Sequence, residues 1–536
     1  MRVEGAERMS NRVMNLGDLL TEAARRHPER LAVVHGERSV TWAQMNARVD
    51  AFAGALAGLG LGFGDKVIVQ SRNSVEMFET MFAVFKLGAV WVPTNFRILP
   101  DDVAHIASSS QAKAIIYEPE FAAHADAARD AGARIVICIG EGRDGEHVHA
   151  DLVAAGRGAP LRAAPVERDD PCWFFFTSGS TGKPKAAVLA HGQMAFVITN
   201  HLADLMPGTT SEDASLVVAP LSHGAGIHQL IQVARCVTTV LTVSRSLDAD
   251  EAFRLIERHR VSNMFTVPSI LTALVSDPAV DRYDHSSLRH VIYAGAPMLR
   301  EHQKTALRKL GRCLVQYFGL GEVTGNITVL PPHLHDPEDG PGVRVGTCGY
   351  ARTGMQIEIQ DMDGKPLPPL ENGEICVIGP AVFNGYYRNE KANAEAFRDG
   401  WFRTGDIGHF DENGFLFITG RASDMFISGG SNIYPLEIEE KLVAHPAIAE
   451  ACVVGMPDEK WGEVGVAAIV LQPGAEITPE QLKADLATRI AGYKIPKRFV
   501  VFDALPRSGY GKITKKTVRE LLESRLAEAP VLEGAR

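Results

Sequence analysis

The chain has 536 residues, 46% of them hydrophobic and 22% charged, with a formal net charge of -10. That length exceeds one ordinary core and predicts at least two domains of a globular enzyme. The acidic balance argues against nucleic acid as the main partner, because phosphate binding wants a basic face, but it leaves room for a locally basic nucleotide pocket.

The seven cysteines, at positions 138, 172, 236, 313, 348, 376 and 452, include no CxxC pair. Neither a zinc site nor a redox pair is suggested, and reduced thiols in a cytoplasmic protein are expected. Met1 to Asn15 mixes charges of both signs without an apolar run, unlike a signal peptide. No stretch reaches the ~18 apolar residues of a membrane helix, so no stable membrane insertion is expected.

Short β-branched or aromatic runs recur through the first two thirds: Lys66 to Gln70, Ala114 to Tyr117, Arg134 to Ile139, Trp173 to Phe176, Ser215 to Pro220, Asn263 to Val267 and His290 to Gly295. Helix-like stretches lie between many of them. Met77 to Leu87 is apolar all round, as a buried helix would be, and Ala252 to Arg260 has the amphipathic period. Such alternation predicts an α/β architecture on parallel sheets, with strands covered on both faces. From about Val343 the texture changes. Asp363-Gly364, Asn372-Gly373 and Asn413-Gly414 read as hairpin turns, flanked by alternating runs such as Gln356 to Gln360 and Glu374 to Ile378. A β-rich subdomain is predicted over about 343–420. From Arg421 onward a helix at Tyr434 to Val443, strands near Glu450 to Val454 and Gly465 to Leu471, and a helix near Pro479 to Ile490 predict a small α+β domain.

The strand Trp173 to Phe176 runs directly into Thr177-Ser178-Gly179-Ser180-Thr181-Gly182-Lys183-Pro184-Lys185. Small residues let backbone approach a ligand, and hydroxyls and N–H groups can bond phosphate oxygens. By composition alone the segment is either a phosphate cradle or a plain Gly/Ser turn. It is not a Walker A loop, which needs Gly where Thr177 stands.

Together with four later motifs, this loop resembles the adenylate-forming superfamily of acyl-CoA synthetases, peptide-synthetase adenylation domains and beetle luciferase. The later motifs are Gln316-Tyr317-Phe318-Gly319-Leu320-Gly321-Glu322, Trp401-Phe402-Arg403-Thr404-Gly405-Asp406, Gly420-Arg421 and Pro506-Arg507-Ser508-Gly509-Tyr510-Gly511-Lys512. The resemblance implies a large N-terminal domain, 1–420, of layered α/β subdomains plus the β-rich one, and a small mobile C-terminal domain, 421–536. It implies ATP and CoA as co-substrates and Mg²⁺ as cofactor. A carboxylate attacks the α-phosphate of ATP to give acyl-AMP and pyrophosphate, and a thiol then displaces AMP. Since an anion must approach a polyanion, catalysis should be electrostatic.

Site residues follow by match. Ser178, Gly179, Ser180, Thr181, Gly182 and Lys183 fall on the β- and γ-phosphate loop, with Thr177 at its entrance. Gly295, Ala296 and Pro297 match the adenine-side segment, Phe318 and Gly319 the aromatic-Gly pair beside adenine, and Glu322 the carboxylate that holds Mg²⁺. Asp406 matches the ribose acceptor and Arg421 a nucleotide contact. Lys512 matches the lysine that bridges the carboxylate and the α-phosphate. Ser423 stands at the hinge position, and Gly429 and Gly430 match the segment that lines the thiol tunnel. His223 is expected on the acyl-site wall. Ile227, Ala296, Leu320 and Asn326 should complete a pocket for a hydrophobic acid, fatty or aromatic, with no fixed cation to select a dicarboxylate.

Two positions depart from the pattern. Gly321 replaces a threonine whose hydroxyl reaches the phosphates, and Ser423 replaces the usual Asp or Lys. The leading reading is an acid–CoA ligase. The same motifs would serve an enzyme that loads a freestanding acyl carrier protein, and the two departures also fit a non-catalytic nucleotide- or acyl-binding sensor. A homodimer is compatible with any of these.

Overall fold

A computed structural model describes residues 11–156, 161–178, 183–340, 342–507 and 513–528. The chain divides into two compact units, one of Met1–Ile357 with Val377–Phe402, the other of Glu358–Cys376 with Arg403–Arg536. The sequence boundary at Gly420/Arg421 differs from this division. Asp406 pairs with Arg421 across the antiparallel strands Trp401–Phe410 and Leu416–Arg421, so residues 403–421 belong with the later chain.

The first unit is α/β, built on two seven-stranded sheets. In the first, Val90–Pro93, Lys66–Gln70, Ala114–Tyr117, Ile135–Cys138 and His147–Val148 run parallel, and Pro171–Ser178 joins parallel to Val90–Pro93. The edge strand Pro184–Ala190 pairs antiparallel with Pro171–Ser178. In the second, Leu314–Gln316, His290–Tyr293, Asn263–Thr266, Ala214–Val217, Thr238–Leu241 and Leu31–His35 are parallel, and Arg38–Thr41 closes the edge as a hairpin. The expected strands are therefore present, most within one or two residues of their predicted ends. Their near-continuous apolar character reflects burial on both faces.

The predicted buried helix spans Val75–Lys86, and the polar residues Glu79, Thr80 and Lys86 are buried on it. Lys86 is fully covered and donates to the Asp50 carboxylate and to Asn46 Oδ1 at 2.7 Å, both on the helix Trp42–Gly58. A buried ammonium is tolerable only with such partners.

The second unit is α+β. Its sheet is centred on Ile448–Asp458 and Gly462–Leu471, and side chains alternate between two cores. Val453, Ala467 and Ile469 face the helices Pro435–Val443 and Pro479–Ala487. Cys452, Val454 and Ala468 face Phe502 and the helix Lys515–Glu528. This is the period-2 pattern of a strand covered on both sides.

Two of the three hairpin signals hold. Gly364 donates to Asp361 O, and Gly414, at φ 80°, closes the turn between Phe410 and Leu416. Asn372-Gly373 is instead the entry to the strand Gly373–Ile378. A Cβ on Gly373 would lie 2.4 Å from Gln360 O, so close approach rather than turn geometry calls for glycine there. Among the described residues no helix is long and apolar enough to cross a membrane. All seven cysteines are buried thiols, and burial pushes the Cys172 thiol well above its usual range.

The Lys86–Asp50 pair gives a stability test. Asp50→Ala strands the ammonium and should cost about 3–5 kcal/mol, read as a lower urea midpoint. Replacing both residues by Leu and Met should recover most of that loss.

Candidate active site

The matched residues of the first unit collect at the carboxyl ends of parallel strands, where open α/β sheets present their crevices. Thr177 ends Pro171–Ser178, Gly295 follows His290–Tyr293, Phe318 follows Leu314–Gln316, and the Pro220–His223 turn follows Ala214–Val217. The half-buried residues Phe175, Thr177, His223, Phe265, Phe318 and Gly321 lie at these ends.

Glu322 is the centre of the arrangement. It sits in a short 3-10 turn, Gly321–Val323, and is 5% exposed. Thr177 Oγ1 donates to its Oε1 at 2.9 Å, and Tyr386 Oη donates to the same oxygen at 2.9 Å. Its carbonyl accepts from Phe383 N at 2.8 Å. Tyr386 is placed because residues 384–387 zip onto the edge strand: Asn384 N and Tyr387 N donate to the carbonyls of Val188 and Ala186, and Val188 N to that of Gly385. Burial and the neighbouring carboxylate push the Tyr386 phenol upward, so it remains a donor. Lys185 Nζ stands 4.3 Å from the centroid of the Tyr386 ring. Both hydroxyls bind Oε1, and Oε2 accepts no hydrogen bond among the described residues. Such an oxygen fits a hard divalent cation, and one carboxylate suffices where substrate phosphates supply further ligands. No group of three or more potential metal-ligating side chains occurs among the described residues.

The loop after Leu314–Gln316 is fixed by its backbone. Phe318 N donates to Thr328 Oγ1 at 3.2 Å, and the Phe318 carbonyl accepts from Ile327 N and Thr328 N. Gly319 is forced by close approach: a Cβ would lie 2.4 Å from Gly325 Cα. Gly321, the departure from the family pattern, has a counterpart nearby. A Cβ there would lie 2.6 Å from Phe175 Cδ1 and 3.1 Å from Thr177 Cγ2. The Phe175 ring takes the space that a threonine side chain would need.

His223 precedes the helix Gly224–Ala234. Its Nδ1 lies 2.9 Å from Ser222 Oγ, and its ring meets Phe175 edge-on at 5.7 Å. Asn73 shapes this turn by donating to Ala219 O at 2.9 Å and accepting from Leu221 N at 2.8 Å. Gly295 has φ +85°, and Gly295, Ala296 and Pro297 are exposed at the end of their strand. Lys183 is exposed. Gly179, Ser180, Thr181, Gly182 and Lys512 lie outside the described residues, as does the Ser178 side chain.

In the second unit, Asp406 is 4% exposed and accepts from Arg421 Nε at 2.9 Å, so the two predicted nucleotide residues are partners. Ser423 is exposed in the turn Ala422–Asp424, with Oγ 3.1 Å from Asp424 Oδ1. Lys515 pairs with Asp424 at 3.7 Å and Glu439 at 2.7 Å. Gly429 and Gly430, at φ 56° and 81°, turn the hairpin between Phe426–Ser428 and Ser431–Ile433. A Cβ on Gly429 would lie 2.7 Å from the Trp461 ring. The bridge Arg507↔Ile513 holds the two ends that flank Lys512.

Sequence reasoning missed Tyr386, Asn73 and Phe175, and it missed a buried cation. Arg352 is 1% exposed, and Nη1 donates to Gly325 O at 3.3 Å, beside the predicted pocket residue Asn326. Only the turn chemistry of Thr353-Gly354 hinted at that loop. Arg245, by contrast, is a solvated charge paired with Glu120.

The Phe175–Gly321 contact yields a reciprocal test. Gly321→Thr should lower acid-dependent pyrophosphate release about tenfold or more, because the new side chain displaces Phe175 and Thr177. Adding Phe175→Ala should recover much of it. Full activity in the single variant would show that Phe175 yields freely.

The AMP-binding enzyme family model matches residues 20–387, and the model of the AMP-binding enzyme C-terminal domain matches residues 437–512. Feruloyl-CoA synthase of an Amycolatopsis species is 36% identical over 95% of this chain and 99% of its own length. Indoleacetate–CoA ligase of Aromatoleum aromaticum is 34% identical over 95% of this chain and 98% of its own. The structure of o-succinylbenzoate CoA synthetase from Bacillus subtilis, in complex with its acyl-adenylate intermediate, superposes with a TM-score of 0.83 at 29% identity, covering 98% of this chain and 99% of that one. The chain belongs to the AMP-binding, adenylate-forming enzyme family, in the branch of the acyl-CoA synthetases.

Proposed function

We propose that the protein is an ATP-dependent acid–CoA ligase acting on an aromatic carboxylic acid. The observation that carries this reading is the Glu322 carboxylate, fixed by Thr177 at a strand end and by Tyr386 on the segment zipped to the edge strand. The aromatic preference rests on the half-buried rings of Phe175 and Phe265 at their strand ends. The names of the relatives, feruloyl-CoA synthase and indoleacetate–CoA ligase, support it.

In the first half-reaction a carboxylate oxygen bonds to the α-phosphorus of ATP, and the bond from that phosphorus to the bridging oxygen breaks, releasing pyrophosphate. In the second, a deprotonated CoA sulfur bonds to the acyl carbon, and AMP leaves with the former carboxylate oxygen. The protein's task in the first is to offset anion–anion repulsion. We assign the β- and γ-phosphates to Thr177, Ser178 and the segment Gly179, Ser180, Thr181, Gly182 and Lys183. The adenosine we assign to Gly295, Ala296, Pro297, Phe318 and Gly319, and to Asp406 and Arg421. Glu322 is the residue that would hold Mg²⁺, which supplies charge neutralisation at the phosphates when bound. Lys512 offsets the charge between the carboxylate and the α-phosphate. His223 walls the acyl side, Gly429 and Gly430 line the CoA path, and Ser423 absorbs the backbone change between half-reactions. The functional boundary is placed at Gly420/Arg421, and the cytoplasm is the compartment that supplies these substrates.

The decisive measurement is a screen of carboxylic acids by pyrophosphate release, with CoA or an acyl carrier protein as the thiol. Nucleotide binding without acid-dependent pyrophosphate release would sink the ligase reading in favour of a sensor, and thioester formation on the carrier protein alone would replace CoA. Lys512→Ala should lose adenylation yet still form thioester from supplied acyl-AMP. Equal loss of both half-reactions would refute its assigned role. Tyr386→Phe frees the Glu322 carboxylate to turn, and should raise the Mg²⁺ concentration for half-maximal adenylation several-fold. An unchanged Mg²⁺ dependence would mean that Thr177 alone fixes the carboxylate.

A further inference from the structure

The turn that carries His223 is held from outside its own sheet. His223 lies between the strand Ala214–Val217, in the second seven-stranded sheet, and the helix Gly224–Ala234. The strand has ended before Ala219, and Pro220 brings no N–H of its own. The side-chain amide of Asn73 fills the gap. Its Nδ2 donates to Ala219 O at 2.9 Å, and its Oδ1 accepts from Leu221 N at 2.8 Å. One planar amide therefore satisfies the main chain on both sides of Pro220, as a neighbouring strand would.

Asn73 belongs to the first sheet. It sits in the connection from Lys66–Gln70 to Val75–Lys86, 146 residues from Ala219 along the chain. That connection is itself fixed. Ser71 Oγ donates to Glu118 Oε1 at 2.6 Å, and Arg72 N donates to the same oxygen at 3.2 Å. Ser74 Oγ caps the following helix by accepting from Met77 N at 3.0 Å. Arg72 adds a second tie between the sheets: Nη1 donates to Arg245 O at 3.4 Å, and Glu120 accepts from both arginines. The amide is thus presented by a loop with little freedom, as a fixed reference point requires.

From the amide the constraint passes along the turn to the ring. His223 N donates to Pro220 O at 3.1 Å, and Gly226 N donates to His223 O at 2.9 Å. Leu221 is fully buried, and a Cβ on Gly226 would lie 2.0 Å from Leu221 O and 2.9 Å from the Trp173 ring. The first turn of the helix therefore lies directly on the residue whose N–H Asn73 holds. At the far end of the turn, His223 Nδ1 lies 2.9 Å from Ser222 Oγ, and its ring meets Phe175 at 5.7 Å. Close-packed groups transmit strain. A shift at Ala219 and Leu221 becomes a shift of the His223 ring against Phe175.

We propose that Asn73 is a positioning residue for the acid substrate. By fixing Ala219 and Leu221 from the first sheet, it sets where His223 stands and so how sharply the site separates one acid from another. It acts through His223 and takes no part in ATP binding. This inference rests on the ligase reading above, with His223 as the acyl-site wall. A plain strut between the sheets would differ, because its loss would weaken the fold and handicap ATP and every acid alike.

The test measures pyrophosphate release by the full chain with CoA, over a panel of carboxylic acids and with ATP varied. Asn73→Ala should raise KM for the best acid about tenfold, with KM for ATP changed by less than about twofold, since two hydrogen bonds and the wall's placement are lost. The kcat/KM ratios among acids should change as well. In a His223→Ala background the same substitution should add less than about twofold to the acid KM, the non-additivity of residues that act as one unit. Asn73→Asp keeps the size and the acceptor for Leu221 N but sets an oxygen against Ala219 O. It should shift the acid KM in the same direction, and it serves where Asn73→Ala does not fold. Additive effects with His223→Ala, or an equal rise in KM for ATP, would overturn the assignment and leave the ligase reading intact. So would a lower urea midpoint with every kcat/KM ratio unchanged, or failure of both variants to fold, either of which makes Asn73 a plain strut. Absence of pyrophosphate release from the wild type with every acid would overturn the ligase reading and this inference together.

Discussion

The bond pair from Thr177 and Tyr386 to a single oxygen of Glu322 ties the first unit's functional segments together. The three residues are far apart in sequence and arrive on different elements: the end of a central strand, a 3-10 turn, and a segment zipped onto an edge strand. Two hydroxyls on one buried oxygen do more than satisfy a charge. They set the rotation of the carboxylate and leave Oε2 without a hydrogen bond among the described residues. Charge-assisted bonds of this kind are roughly twice as strong as neutral ones, so they can hold a turn that has few other side-chain ties.

Glycine positions follow from that same crowding. Gly319 and Gly321 are small because the loop folds back on Gly325 and lies under Phe175. The departure at Gly321 is therefore a paired change and not a simple loss. Where the family pattern places a hydroxyl, this chain places an aromatic ring from the neighbouring strand, and the ring also meets His223. The consequence is a more apolar surface between Gly321 and His223, while Thr177 remains to donate to Glu322.

Much of the fold was legible because its strands are short apolar runs and its helices lie between them. Lys66–Gln70 and Ala114–Tyr117 match their predicted ends, since burial on both faces leaves no ambiguity of period. Asn372-Gly373 misled because the glycine serves a close approach to Gln360, which no local signal announces. Motifs singled out Thr177 and Glu322, which the structure brings into contact, and Asp406 and Arg421, which it pairs. The site was illegible where function depends on partners distant in sequence. Tyr386 reaches Glu322 only through the zipper at Val188, and Arg352 looks in sequence like any other loop cation.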